Sequence, residues 1–306
     1  MLRLRPVITN DVYLSYTKFL TRKMLLIAKS RDLEMENVLR YSLRPFPCSL
    51  ATNDGNLVKT AKVKLLHAIE EEVEGATVSD LPVNDKACIL DAMAMLQTLT
   101  AIPRTFGELA IQLLIKAVNT AVYLNCGRVD FVCDRYPNLS IKDLERDKRP
   151  VDGVQVVQIY SDHQKVPRQW KKFMASGENK EELVKFLFTS WKNVDASLLR
   201  GVEVILSRED KCHRFILLNE QLTCSEVEEL TCDHEEADTR MIAHAKHASL
   251  FYNNIVIKSP DTDVFFIALS ACLHINADIF FETGIGNGKR VISLSKYKAL
   301  LGRPVV

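Results

Sequence analysis

Residues 254–259 of this 306-residue chain are Asn254-Ile255-Val256-Ile257-Lys258-Ser259, and this stretch decides the predicted fold class. Its β-branched residues are typical of a buried strand. Two carboxylates follow in Asp261-Thr262-Asp263. In open α/β sheets, ligands bind at the carboxyl ends of the strands. The stretch therefore predicts an α/β fold that carries functional groups at one edge of its sheet.

Two further strand-like stretches also end in an acidic residue. Lys86-Ala87-Cys88-Ile89-Leu90 is followed by Asp91, and Val129-Asp130-Phe131-Val132-Cys133 is followed by Asp134. A long apolar helical pattern over residues 106–124 lies between these stretches, as expected for a crossover between parallel strands. We therefore expect an α/β domain with a mostly parallel central sheet flanked by helices.

The remaining sequence divides into three regions. Residues 1–80 show apolar residues at helical spacing and predict a helical N-terminal region. The α/β domain is expected over residues 85–306. It is interrupted at about residues 151–232 by an inserted α+β segment, in which a helix over 179–191 and strands at 202–206 and 214–218 are predicted.

A second acidic pair precedes the last part of the predicted domain. Glu236-Ala237-Asp238 opens a run with apolar residues at helical spacing. If the strand ends converge, six carboxylates share one pocket: Asp91, Asp134, Glu236, Asp238, Asp261 and Asp263. So much negative charge is unstable without cations. Carboxylates without interleaved Cys or His ligands prefer Mg²⁺ or Mn²⁺, so we expect all six residues to be metal ligands and catalytic residues.

The order of these motifs resembles the flap endonuclease branch of the PIN-like nucleases. The anchors are the strand before Asp91, then Phe131-Val132-Cys133-Asp134-Arg135-Tyr136-Pro137 with a basic stretch, then Glu236-Ala237-Asp238, then Ser259-Pro260-Asp261-Thr262-Asp263. The chain is also similar to nuclease-like reading frames of probable mobile-element origin in invertebrate genomes. The resemblance covers roughly residues 85–295, and four anchors in the family order weigh more than any one of them.

This resemblance implies a fold, an activity and a set of site residues. It implies a PIN-like fold in which the six carboxylates bind two divalent ions. It also implies that the basic stretch after the second strand contacts substrate phosphate through Lys142, Arg146 and Arg149. The family adds a last Asp beyond its Asp-x-Asp strand, whereas no acidic residue follows Glu282 here. The resemblance therefore implies either that fewer ligands hold the second metal, or that the chain is a C-terminally truncated member with impaired catalysis.

Three functions are compatible with these residues. The first is a metal-dependent nuclease that hydrolyses phosphodiester bonds in DNA or RNA by a two-metal mechanism. The second is a catalytically inactive nucleic-acid-binding or assembly module derived from a mobile element. The third is a haloacid-type phosphatase, which would place its Asp-x-Asp after the first strand of the domain, whereas Asp261 and Asp263 follow a late one. Each acidic pair has a structural alternative as a helix N-cap or first turn.

Other features limit the class of protein. The net charge of +1 does not indicate a nucleic-acid partner by itself, although basic stretches at 146–149 and 165–172 could neutralise phosphates. The eight cysteines have no paired two-residue spacing and predict free thiols. Neither a signal-peptide core nor a membrane-spanning run is recognised. We therefore expect an intracellular protein of the nucleus or cytoplasm that binds nucleic acid and no membrane.

Two weaker motifs resemble other kinds of site. His234, His244 and His247 suggest zinc, but they lack the His-Glu-x-x-His spacing. The glycine-rich residues 283–289 resemble a phosphate loop, but they lie between two strand-like runs and are better explained as a hairpin turn.

Overall fold

The computed structural model describes residues 10–31, 34, 36, 61–136, 155–284 and 286–301. The chain divides into two compact units, Met1–Ala61 and Lys62–Val306. In the first unit, helix α1 spans Asn10–Arg31. No helix in the described parts of the chain is both long and apolar enough to cross a membrane.

The second unit is built from eight helices and nine strands within the described residues. The helices are α2 (Lys62–Glu71), α3 (Ala92–Gln97), α4 (Phe106–Leu124), α5 (Trp170–Phe173), α6 (Gly177–Trp191), α7 (Ala237–Ala248), α8 (Thr262–Ala271) and α9 (Ser295–Leu301). The strands are β1 (Thr77–Val78), β2 (Lys86–Asp91), β3 (Arg128–Val132), β4 (Glu203–Arg208), β5 (Lys211–Leu218), β6 (Gln221–Glu226), β7 (Asn254–Lys258), β8 (Asp278–Thr283) and β9 (Arg290–Ser293).

All nine strands join one sheet in the order β1-β9-β8-β7-β2-β3-β4-β5-β6. The pairs β2–β3, β2–β7, β3–β4 and β7–β8 are parallel. The pairs β1–β9, β4–β5, β5–β6 and β8–β9 are antiparallel. The predicted mostly parallel central sheet is therefore wrong, because the sheet of this α/β protein is mixed.

Short connections explain two of the four antiparallel pairs, β4–β5 and β5–β6. Strand β5 begins three positions after the last residue of β4, and β6 begins three positions after the last residue of β5. Connections of two residues can join only antiparallel neighbours. In the second turn Asn219 and Glu220 both have positive φ, as a type I′ hairpin requires. The segment expected as an insertion thus adds three strands to the same sheet.

Helices cover both faces of the sheet. On one face, Cys88 and Leu90 of β2 pack in a buried cluster with residues of α4 and α6. On the other face, Ala87 and Ile89 belong to a cluster that includes Met241 of α7 and residues of α8. Each fully buried aliphatic side chain of this kind stabilises the fold by about 1.5–3 kcal/mol. The two cores fix the strands, and therefore the positions of the strand ends.

Candidate functional site

The end of β2 is tied to the end of β7 through Asp91. Its Oδ1 accepts the backbone N–H of Ala94 (2.9 Å), so Asp91 is the N-cap of α3. Its Oδ2 accepts the hydroxyl of Ser259 (3.2 Å), the first residue after β7. Because β2 and β7 are parallel neighbours, both ends lie at the same edge of the sheet.

The end of β3 is tied to the start of α7 through Asp134. Oδ1 of Asp134 accepts the backbone N–H of Ala237 (2.8 Å), and Oδ2 accepts the hydroxyl of Tyr136 (2.9 Å). Glu236 is the N-cap residue of α7, and Asp238 lies in its first turn. The bond to Ala237 therefore brings Asp134 beside the Glu-x-Asp pair.

The Asp-x-Asp pair begins α8. Asp261 is the N-cap, and its Oδ1 accepts the backbone N–H of Asp263 (2.8 Å). Asp263 is paired with Lys62 of α2, with Nζ at 2.7 and 2.5 Å from its two oxygens. The ammonium of Lys62 thus already neutralises one of the predicted ligands.

Five of the six predicted carboxylates line one open cleft of about 480 Å³: Asp91, Asp134, Glu236, Asp238 and Asp261. The other lining residues include Val63, Met93 and Gln97. Asp263 is not among the lining residues. The cleft therefore brings together side chains from three strand ends and three helix starts.

Mutual repulsion and burial perturb the acids of this cleft. The pKa of Asp238 is raised to about 6, first by burial and then by the charges of Asp261, Asp91, Glu236 and Asp134. The pKa of Asp91 is also raised, mainly by burial, with a contribution from Asp134. The site holds more negative charge than its protein donors compensate.

The cleft fits a hard divalent cation in the kind of donor but not in a ready geometry. Its charged donors are all carboxylate oxygens, which suit Mg²⁺ or Mn²⁺. Within the described residues, no group of three or more His, Cys, Asp or Glu side chains is arranged to hold an ion. Asp91, Asp134 and Asp261 accept hydrogen bonds from protein donors, so an ion would share these carboxylates with those donors.

The predicted phosphate contacts Lys142, Arg146 and Arg149 lie outside the described residues. Their roles stay a prediction.

A buried charged network between β3 and α7 was not predicted from the sequence. Asp130 of β3 is fully buried and accepts two bonds from Arg128, from Nε and Nη2, both at 2.7 Å. It also accepts a bond from Nδ1 of His244 in α7 (2.7 Å). Burial alone would raise the pKa of Asp130, but Arg128 and His244 outweigh it and hold the pKa at about 2.

The network extends to two further residues. Arg128 Nη1 bonds to Nδ1 of His247 (2.9 Å). The thiol of Cys212 lies 3.4 Å from Nε2 of His244, and burial raises the pKa of Cys212 to about 12. The hydrogen bonds of the network hold α7 against β3. Glu236 is the N-cap of this helix, and Asp238 lies in its first turn. Two alternating charged residues within the apolar strand β3 were the sequence signal for it.

Comparisons with protein-family models, curated proteins and solved structures found no match to this chain. The resemblance to flap endonuclease-like nucleases therefore stays a prediction.

The raised pKa of Asp238 predicts a pH-dependent stability. The pKa of an aspartate in the unfolded chain is about 3.9, so the folded state binds the proton more tightly than the unfolded state does. The free energy of unfolding therefore falls as the pH rises from about 4 to 6. Asp238→Asn removes this penalty. Without divalent metal it is expected to stabilise the protein by about 1–2 kcal/mol at pH 7, after allowance for solvent screening in the open cleft, and to have little effect below pH 4.

Urea unfolding of wild type and Asp238→Asn at a series of pH values measures this difference. The exposed Asp195, whose carboxylate accepts the backbone N–H of Ser197, is a control outside the cleft, and Asp195→Asn should show no such gain at pH 7. A difference between wild type and Asp238→Asn that does not change with pH would contradict the assigned charge interaction.

Proposed function

We propose that this protein is a metal-dependent nuclease that hydrolyses phosphodiester bonds in DNA or RNA by a two-metal mechanism. The observation that supports the proposal best is the cleft in which five carboxylates meet at the ends of β2, β3 and β7. Burial, and then the charges of the other four carboxylates, raise the pKa of Asp238 to about 6, as expected of a ligand that lacks a counter-ion.

The residues divide between two ion positions in this proposal. Asp91, Asp134, Glu236 and Asp238 would hold the first ion, and Asp261 with Asp263 would complete the second. When bound, such ions supply a water of lowered pKa and stabilise the leaving oxygen of the phosphodiester. Lys62 would release Asp263 for ligation and then compensate charge at the rim of the cleft.

Three basic residues outside the described part of the chain complete the proposal. Lys142, Arg146 and Arg149 would neutralise substrate phosphate. The family membership implied by the sequence motifs, a nucleic-acid partner and a location in the nucleus or cytoplasm belong to the same proposal. The seven cysteines among the described residues are free, as the proposed compartment would require.

The alternative is a catalytically inactive nucleic-acid-binding or assembly module. It is favoured by the present hydrogen bonds of the acids, because Asp91 and Asp261 act as helix caps and Asp134 joins β3 to α7. In this alternative the carboxylates serve the fold, and the cleft binds no ion tightly.

A cleavage assay distinguishes the two functions. Wild-type protein is expected to cut labelled single-stranded, hairpin or flap substrates of DNA or RNA in Mn²⁺ or Mg²⁺ and to be inactive in EDTA. The same ions should raise the melting temperature of the wild type, because an ion that binds only the folded state stabilises it. Neither cleavage nor a metal-dependent melting shift in either ion would reject the nuclease and favour the inactive module.

A further inference from the structure

A second pocket opens beside the acidic cleft and differs from it in charge. It has a volume of about 330 Å³ and lies at the carboxyl ends of β2, β7 and β8, with α4 as one wall. Asp91, Ala94 and Pro260 line both cavities, so the two are adjacent. The charged side chains of the second pocket that do not also line the acidic cleft are Lys116, Lys258 and Glu282.

The lysines of this pocket outnumber their counter-ion. Glu282 is buried, and it pairs with Lys258 (2.6 Å) and with Lys289 (3.1 Å). The ammonium group of Lys116 makes no hydrogen bond or ion pair with any other residue that the structure describes. Burial lowers the pKa of Lys116, and the charge of Lys258 lowers it further. Apart from the shared Asp91, the pocket is lined by two lysines and one carboxylate, and Lys289 also pairs with that carboxylate.

A shallower pocket of about 400 Å³ continues from the lysines along α4. Lys116 and Lys258 line it together with Tyr123. Tyr123 is 82% exposed, and Nζ of Lys289 lies 5.9 Å from the centre of its ring. Because Tyr123 follows Lys116 by seven residues, both lie on one face of the helix, roughly 10 Å apart along its axis. An exposed aromatic ring thus lies on the same helix face as the unpaired ammonium of Lys116, and both line this pocket.

We propose that Lys116 and Lys258 bind the phosphates of a single nucleic-acid strand where it leaves the acidic cleft, and that Tyr123 stacks on one of its bases. The direction of the strand rests on the proposed nuclease function, but binding to this surface does not require cleavage. Lysines beside an aromatic ring are the combination by which proteins hold single strands without regard to sequence. The ring face has no role in binding inorganic phosphate alone.

Variants of Lys116 and Tyr123 test the proposed strand-binding surface, because neither substitution removes a contact that the fold depends on. Lys116→Gln leaves no carboxylate unpaired, and Tyr123→Ser changes a largely exposed side chain. Glu282→Gln removes the counter-ion of the pocket and keeps its shape. The matched control is Lys211→Gln, because Lys211 is an exposed lysine on β5 that pairs with Glu226 outside these cavities.

Binding is measured with the full chain in EDTA, by fluorescence anisotropy of a labelled oligonucleotide of about 15 nucleotides, as poly-dT and poly-rU, across a salt series. Lys116→Gln should bind more weakly. The plot of log affinity against log salt should also become less steep, its negative slope shrinking in magnitude by about 0.7. Tyr123→Ser should bind roughly five- to a hundredfold more weakly, since stacking of a base is lost. Glu282→Gln should bind more tightly than wild type, a gain that a merely structural role would not produce.

The outcomes separate this inference from the proposed function. If Lys116→Gln and Tyr123→Ser bind as the Lys211→Gln control does, the strand path is overturned, whether or not the wild type cleaves. If binding depends on both residues and the wild type never cleaves, the strand path stands and the nuclease proposal fails. Competition by inorganic phosphate as strong as that by unlabelled oligonucleotide, at equal phosphate concentration, would also overturn the path, because it would mean that the pocket recognises only a phosphate ion.

Discussion

Replacing Asp238 with asparagine is expected to lower the rate of cleavage by roughly a hundred- to a thousandfold, which corresponds to about 3–4 kcal/mol of transition-state stabilisation. Asp238 lines the cleft, and its side chain accepts no hydrogen bond from the other residues that the structure describes. The substitution keeps the shape of the side chain and removes a charge needed to hold an ion. Single-turnover cleavage in Mn²⁺ measures the loss.

The same variant is expected to be more stable than wild type in the absence of metal, so activity and stability should change in opposite directions. This combination excludes misfolding as the cause of the lost activity. Asp195→Asn, with the same chemical change at an exposed cap, should cleave as wild type does. Undiminished cleavage by Asp238→Asn would remove this residue from the site and with it the proposed division of ligands.

Replacing Asp130 with asparagine is expected to destabilise the fold by about 3–5 kcal/mol. The carboxylate of Asp130 is fully buried and is paired with Arg128, which is 1% exposed. Its loss leaves the guanidinium buried without a counter-charge and takes the acceptor from His244. The midpoint of urea unfolding at neutral pH measures the change.

A second variant checks the cause. Arg128→Met combined with Asp130→Leu replaces both charges by apolar groups and should recover part of the lost stability, because an apolar pair avoids the cost of a buried, unpaired ion. If the double variant is less stable than Asp130→Asn alone, the electrostatic explanation is wrong, and packing around β3 is the main term.

The strands and helices near the site were accessible from sequence because local patterns specify them. The β-branched run before Asp261 forms β7, the apolar pattern over 106–124 forms α4, and the glycine-rich stretch after β8 is a hairpin connection, as expected. The acids at the strand ends were recognised because each follows such a run. Local patterns of this kind do not depend on what the element pairs with.

The relative direction of neighbouring strands could not be predicted from the sequence. It depends on pairing partners that are distant in the sequence, or on turns whose residues are not typical of a turn. The two-residue turn at Glu209 and Asp210 contains no glycine, and the predicted strands at 202–206 and 214–218 left a longer gap than the structure has. The polar edge strand β6 carries no apolar alternation, so it was not predicted. The hydrogen-bond partners of Asp91, Asp134 and Asp261 also depend on backbone groups that only the folded chain brings close.

The bond between Asp91 and Ser259 has a consequence for the order in which the domain folds. These residues are separated by 168 positions in the chain, whereas β2 and β3 are joined by the shorter segment that contains α3 and α4. Closing the longer loop costs more chain entropy, and contacts between distant residues slow folding. We expect β2, α4 and β3 to form early and β7 to pair late, so that the acids meet only after much of the apolar core is in place. A late assembly of this kind spares the early folding intermediates the repulsion among those charges.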